Sequence, residues 1–150
     1  MTVVVGYVPT AVGRAALRRA AQEAELHGWK LVTVHSESLD EQFDQDEDSA
    51  LDAELTVIRD HLQAIGIEHE EVRFEGVRSV RGTDLSAPER GVDPGEDLIA
   101  VAEEKRARLI VVGIRRRSLV GKLFLGSNAQ KVLQGAPCAV LGVHLDDVTE

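Results

Sequence analysis

The stretch Leu109-Ile-Val-Val-Gly113-Ile-Arg-Arg-Arg-Ser-Leu-Val-Gly-Lys-Leu-Phe-Leu-Gly126-Ser127-Asn128 lays out one turn of a layered α/β chain. Its first five residues are the most hydrophobic run of the sequence. Their unbroken apolar character suits a central strand buried on both faces. The strand passes into a loop rich in glycine and arginine. A short helix then opens at Gly126-Ser127, with Ser127 as its expected cap, and runs through Leu133 to Gly135 and Pro137. Cys138-Ala-Val-Leu-Gly-Val143 follows as a further strand. A strand, a crossover helix and a strand make a parallel pair.

The same alternation extends toward the N-terminus. Asp93-Pro94-Gly95-Glu96 opens a helix with an N-cap Asp, a proline at the first helical position and a Glu two residues on. That helix buries Leu98, Val101 and Ala102. Before it lies an irregular stretch, residues 75–92, longer than most connections in a compact domain and read as a mobile or functional loop. Ile67 to Phe74 forms a strand whose charged positions suit a sheet edge. Leu51, Leu55, Ile58, Leu62 and Ile65 form a helical stripe closed by Gly66. Lys30 to Ser36 and Val3 to Tyr7 are strands. Between them Ala15, Ala16, Leu17, Ala20, Ala21 and Ala24 recur at helical spacing, with Gly28 as the stop. Five strands alternating with four helices specify an α/β fold, a parallel sheet covered on both faces.

The chain has 150 residues, 43% of them hydrophobic, and carries 26 acids against 17 bases for a net charge of −9. This suits a single domain over residues 1–150 with a substantial core. Nine of the acids, and no Lys or Arg, fall between Glu37 and Glu54, so the rest is balanced at 17 of each sign. The single cysteine, Cys138, forms no internal disulfide. No apolar run near the N-terminus exceeds Val3–Val5, and no signal peptide or membrane span is read. A cytoplasmic protein is the expectation. Five aromatic residues offer no stacking platform for single strands, and an acidic chain offers no cationic face to nucleic acid.

In parallel α/β sheets, ligands bind beyond the carboxyl ends of the strands, where strand order reverses. The segments after Gly6 and after Gly113 are such ends. The helix opening at Gly126-Ser127 presents free N–H groups and the positive end of its dipole. The loop before it carries Arg115, Arg116, Arg117 and Lys122. A phosphate-bearing ligand is the physical expectation. The alternative is an ordinary strand-to-helix connection with solvated arginines.

The spacing from Gly113 to Gly126-Ser127, with the following Ala136-Pro137-Cys138-Ala139-Val140-Leu141, resembles the universal stress protein family. Its nucleotide-binding members carry Gly, two residues, Gly, nine residues, then Gly-Ser or Gly-Thr. Gly113, Gly126 and Ser127 fall in register. Val3 to Thr10 and Gly13-Arg14-Ala15-Ala16-Leu17 are similar to the family's opening strand and helix. The resemblance spans the chain apart from residues 75–92. It implies a Rossmann-like, five-stranded parallel sheet in the order 3-2-1-4-5 and a homodimer through residues 138–143. In some members it implies ATP, with Mg2+, in a crevice between the first and fourth strands. Carried over, that crevice comprises Val8, Pro9 and Thr10, with Ser36 and Val112 flanking the base. Gly113 lies beside them. Gly126, Ser127 and Asn128 meet phosphates through backbone N–H groups, with Arg116 as a further contact.

Two positions depart from the family pattern. Arg116 replaces the second glycine, and Val8 replaces an aspartate that contacts the nucleoside. An arginine there either forks onto phosphate oxygens or fills the space glycine leaves. Replacing Arg116 with Gly is expected to lower nucleotide affinity in the first case and raise it in the second, as calorimetry would report. The second case describes a dimeric interaction module without nucleotide. No catalytic or metal centre is read. Asp44, Asp46 and Asp48 imitate a calcium loop, but Ser49 and Leu55 stand where its glycine and last carboxylate belong, so 37–50 reads as a solvated acidic loop. His27, His35, His61, His69 and His144 lack metal-pair spacing. Ser118 and Ser127 lack a nucleophile elbow. Cys138 opens a strand as inert packing. An ATP-hydrolysing enzyme needs a water-positioning carboxylate, and the arginine loop offers only bases.

Overall fold

The computed structural model describes residues 1–36, 45–74, 94–114 and 126–145. Strands β1 (Thr2–Gly6), β2 (Lys30–Ser36), β3 (His69–Phe74), β4 (Leu109–Gly113) and β5 (Ala139–Val143) alternate with four helices. These are α1 (Ala11–His27), α2 (Gln45–Ala64), α3 (Pro94–Glu104) and α4 (Ser127–Gly135). Every pairing is parallel, in the order β3-β2-β1-β4-β5. The acidic residues 37–44, the stretch 75–92, the Asp93 cap and the arginine loop with Arg116 lie outside the described residues.

Alternation along β1 separates two cores. Val3 and Val5 pack with Leu17, Ala20, Leu31, Leu51, Leu55 and Leu62 beneath α1 and α2. Val4 packs with Val32, Leu98, Val101, Ile110 and Val132 beneath α3 and α4. Consecutive side chains of a strand point to opposite faces, so one run of valines serves both layers. Although β4 is the more hydrophobic run, β1 holds the centre and β4 lies between it and β5. Alanines at 16, 20 and 24 are buried on the inner side of α1 and bring it close to the sheet.

Several boundaries differ from the sequence expectation, each for a local reason. α2 begins at Gln45, so the last residues of the expected acidic loop are helical. Ile65 follows the last helical residue and is exposed, although it sat on the expected stripe. Ile67 precedes β3 rather than starting it. Cys138 precedes β5, and burial pushes its thiol pKa up, as expected for inert packing. Tyr7 lies past the end of β1, yet its N–H still donates to Val34 O at 2.7 Å. Gly28 and Gly66 stop their helices with positive φ of 71° and 82°. The next residues close the ends with matching bonds, Trp29 N–H to Ala24 O and Ile67 N–H to Leu62 O.

β3 is a sheet edge and carries His69, Glu70, Glu71 and Arg73, charges that discourage strand addition. Glu70 bridges Lys30 of β2 (2.6 Å) and Lys105 (2.9 Å), just past α3. The hydrogen bond from Lys30, then that from Lys105, holds the Glu70 carboxyl below its ordinary pKa. The folded state therefore binds this proton less readily than the unfolded chain. The contribution is present above the unfolded value and fades as pH falls through the lower folded one. We expect Glu70→Gln to flatten the acid limb of the stability curve, measured by urea unfolding between about pH 3 and 6. An unchanged limb would rule this out.

Candidate functional site

The strand order reverses between β1 and β4, because α1 leaves β1 onto one face and α4 follows β4 onto the other. The carboxyl ends of these two strands thus flank the crevice where ligands bind in such sheets. Of the residues singled out in the sequence, Val8, Pro9 and Thr10 follow β1, Val112 and Gly113 end β4, and Gly126, Ser127 and Asn128 open α4. Ser36 closes β2, paired with Phe74. These elements converge on one end of the sheet.

The segment after β1 is folded onto its own helix. Thr10 is the N-cap of α1, and its Oγ1 accepts from the Gly13 N–H at 2.9 Å. Thr10 N–H in turn donates to Val8 O at 2.9 Å. Val8 is so close to the first turn that a Cβ on Gly13 would lie 1.9 Å from the Val8 carbonyl oxygen. The sequence reading gave Thr10 only a ligand role and missed this cap. A threonine three residues before a glycine, at the start of an alanine-rich helix, was the signal for it.

At the end of β4, Val112 is buried in the core with Leu98 and Val132. Gly113 leaves room for α1: its absent Cβ would meet Val12 Cγ1 at 2.5 Å. Glycine there is required by helix-on-strand packing, independently of any ligand. Ile114 crosses to β5, where it fills the space over Gly142.

α4 contrasts with α1. Its N-cap is Gly126, not Ser127 as expected, so no side chain caps it. Gly126 has extended backbone, φ −67° and ψ 168°, and no described atom would contact a Cβ built on it. The first intrahelical bond runs from Gln130 N–H to Gly126 O at 3.0 Å. The N–H groups of Ser127, Asn128 and Ala129 precede it and are the orphan donors of a helix start. No acidic residue lies in this first turn. An uncapped, acid-free helix N-terminus is suited to an anion. α3 begins beside it: Gly95 packs against Asn128, whose O would be 3.1 Å from a glycine-borne Cβ.

The universal stress protein family model matches residues 1–144. The chain is also 34% identical to a universal stress protein of Mycolicibacterium smegmatis, over 94% of this chain and 95% of that one. The chain belongs to the universal stress protein family. As a universal stress protein it shares its fold with the solved structure of a relative from Archaeoglobus fulgidus. The two are 29% identical over 95% of this chain and 98% of that one, with a TM-score of 0.64. A further relative, solved in complex with cAMP, is 27% identical over 97% of this chain and 98% of that one, with a TM-score of 0.57. Among the described residues no helix is long and apolar enough to cross a membrane, and no group of three His, Cys, Asp or Glu is placed to hold a metal ion.

Proposed function

We propose that this universal stress protein is a cytoplasmic regulator that binds an adenine nucleotide, ATP with Mg2+ foremost, between the ends of β1 and β4. The observation that carries the reading is the N-terminus of α4, without a side-chain cap or an acid in its first turn, beside the point where strand order reverses. The relative bound to cAMP supports a nucleotide as the occupant. Val8, Pro9, Thr10, Ser36, Val112 and Gly113 serve the nucleoside side. Gly126, Ser127 and Asn128 serve the phosphates through backbone donors, with Arg116 adding a guanidinium. No residue is assigned a catalytic role, so ligation acts through conformation or partner choice. Calorimetry and thermal unfolding with Mg-ATP, AMP and cAMP test this. Saturation at about 100 times Kd adds about 2.7 kcal/mol of stability. No heat and no shift with any of the three at millimolar concentration would reject it.

A second reading, an interaction module without nucleotide, draws on Val12. Its side chain packs against Gly113, within 2.5 Å of where a Cβ there would lie.

Both readings include a homodimer through β5. That strand is a sheet edge whose residues are half-buried or exposed, with Leu133 and Leu145 also exposed nearby in sequence. Ile114 N–H donates to Val143 O, so Val143 and alternate residues bond inward to β4. Val140 and Gly142 point their backbone groups outward. Val140→Pro removes an outward N–H while sparing the β4 ladder. We expect it to convert a dimer to a monomer in light scattering, with the far-ultraviolet dichroism retained. A wild-type monomer at micromolar concentration would count against the dimer.

A further inference from the structure

A second cavity, of about 300 Å3, lies on the opposite face of the sheet, beneath α2. Its walls include Tyr7, His35 of β2, Glu71 and Arg73 of β3, and Asp52 and Arg59 of α2. The face of a sheet under a helix is normally apolar, so this polar lining calls for a reason. The size is at the lower end for small-molecule sites.

Most of the wall groups hold one another in place. Tyr7 O–H donates to Asp52 Oδ1, and Arg59 pairs with Glu71. The rings of Tyr7 and His35 stack with centroids 4.4 Å apart. Arg73 Nη1 lies 2.7 Å from His35 Nδ1. Among the described residues no carboxylate is within ion-pair distance of Arg73, whose side chain meets the His35 ring. Asp52 keeps its second oxygen, Oδ2, without a partner among the described residues. A guanidinium and a carboxylate therefore line one small cavity without pairing with each other.

We propose that this cavity binds a small zwitterion, a free amino acid, with its carboxylate on Arg73 and its ammonium toward Asp52. A simple anion would face Asp52 and Glu71, and a simple cation would face Arg59 and Arg73. A molecule bearing both charges is matched at both ends. Arg73 offers a planar fork suited to a carboxylate. The cavity lies on the α1 and α2 face of the sheet, whereas the opening of α4 lies on the other.

The test is titration of the intact chain with the free amino acids, each beside its N-acetyl form (anion only) and its amide (cation only), followed by saturation-transfer NMR and calorimetry. At least one free amino acid should saturate below about 10 mM, with both derivatives at least about tenfold weaker. Arg73→Gln should weaken that amino acid by at least about tenfold. Asp52→Asn should abolish the discrimination against the N-acetyl form. Heats with Mg-ATP should match wild type in both variants. The proposal is overturned if no amino acid saturates, if the derivatives bind as well as the parent, or if neither variant alters binding. The derivative series on wild type decides the question even where a variant folds poorly.

Discussion

Gly13→Ala should destabilise this protein by about 3 kcal/mol. The new Cβ would lie 1.9 Å from Val8 O, 2.8 Å from the Val8 carbonyl carbon and 2.8 Å from its Cβ. None of these is the tip of a flexible side chain, so the backbone of Val8 must move. That backbone is tethered on both sides. Tyr7 N–H donates to Val34 O, Thr10 N–H donates to Val8 O, and Thr10 Oγ1 caps Gly13. Displacing Val8 strains the link to the sheet or opens the cap, and lost caps alone cost about 1 kcal/mol. Alanine's better helix propensity returns up to about 1 kcal/mol and does not offset this. For a chain of this length, about 3 kcal/mol lowers Tm by roughly 6–12 °C. Gly126→Ala is the control. Nothing described lies within 4 Å of its added methyl, and as an N-cap change it should cost under about 1 kcal/mol. Equal melting temperatures for the two variants would show that Val8 does not rest on α1 as described.

The contrast between these two glycines also shows where sequence reading reaches its limit. The layered sheet was legible because its signals are local. Val3 to Val5 and Leu109 to Val112 are unbroken apolar runs, and Gly28 and Gly66 each follow a helical stripe as its stop. Edge character in β3 was legible from its charges. The roles of Gly13 and Gly113 were not, because each is set by a backbone or side chain that only folding brings near. The central place of β1 was hidden for the same reason: β4 has the stronger composition, but neighbours, not composition, set strand order. In the site, the spacing from Gly113 to Ser127 pointed to the candidate crevice. Whether a hydroxyl or a bare glycine caps a helix depends on one residue of register, and that register moved the α4 cap from Ser127 to Gly126. The cavity beneath α2 left no sequence signal, since Tyr7, His35, Asp52 and Arg73 come from four separate stretches of the chain.

Asn128→Asp should separate folding from ligand binding by moving them in opposite directions. Asn128 is exposed in the first turn of α4, a turn that holds no acid. A carboxylate at this position faces the positive end of the helix dipole and stabilises the helix by about 0.3–1 kcal/mol. The side chain keeps its size, so packing of the backbone against Gly95 is undisturbed. The same negative charge sits beside the orphan N–H groups that the proposed phosphates would use. It competes for those donors and repels a polyanion, which should weaken Mg-ATP by at least about tenfold, or 1.4 kcal/mol. The expected signature is a melting temperature equal to or above wild type, together with a clear loss of nucleotide heat. AMP, with fewer charges, should lose less than ATP. Loss of stability would mean that α4 does not begin at Ser127. Retained ATP affinity would mean that the phosphates, if bound at all, lie away from this helix, and the anion site would then have to be sought among the arginines at 115–117.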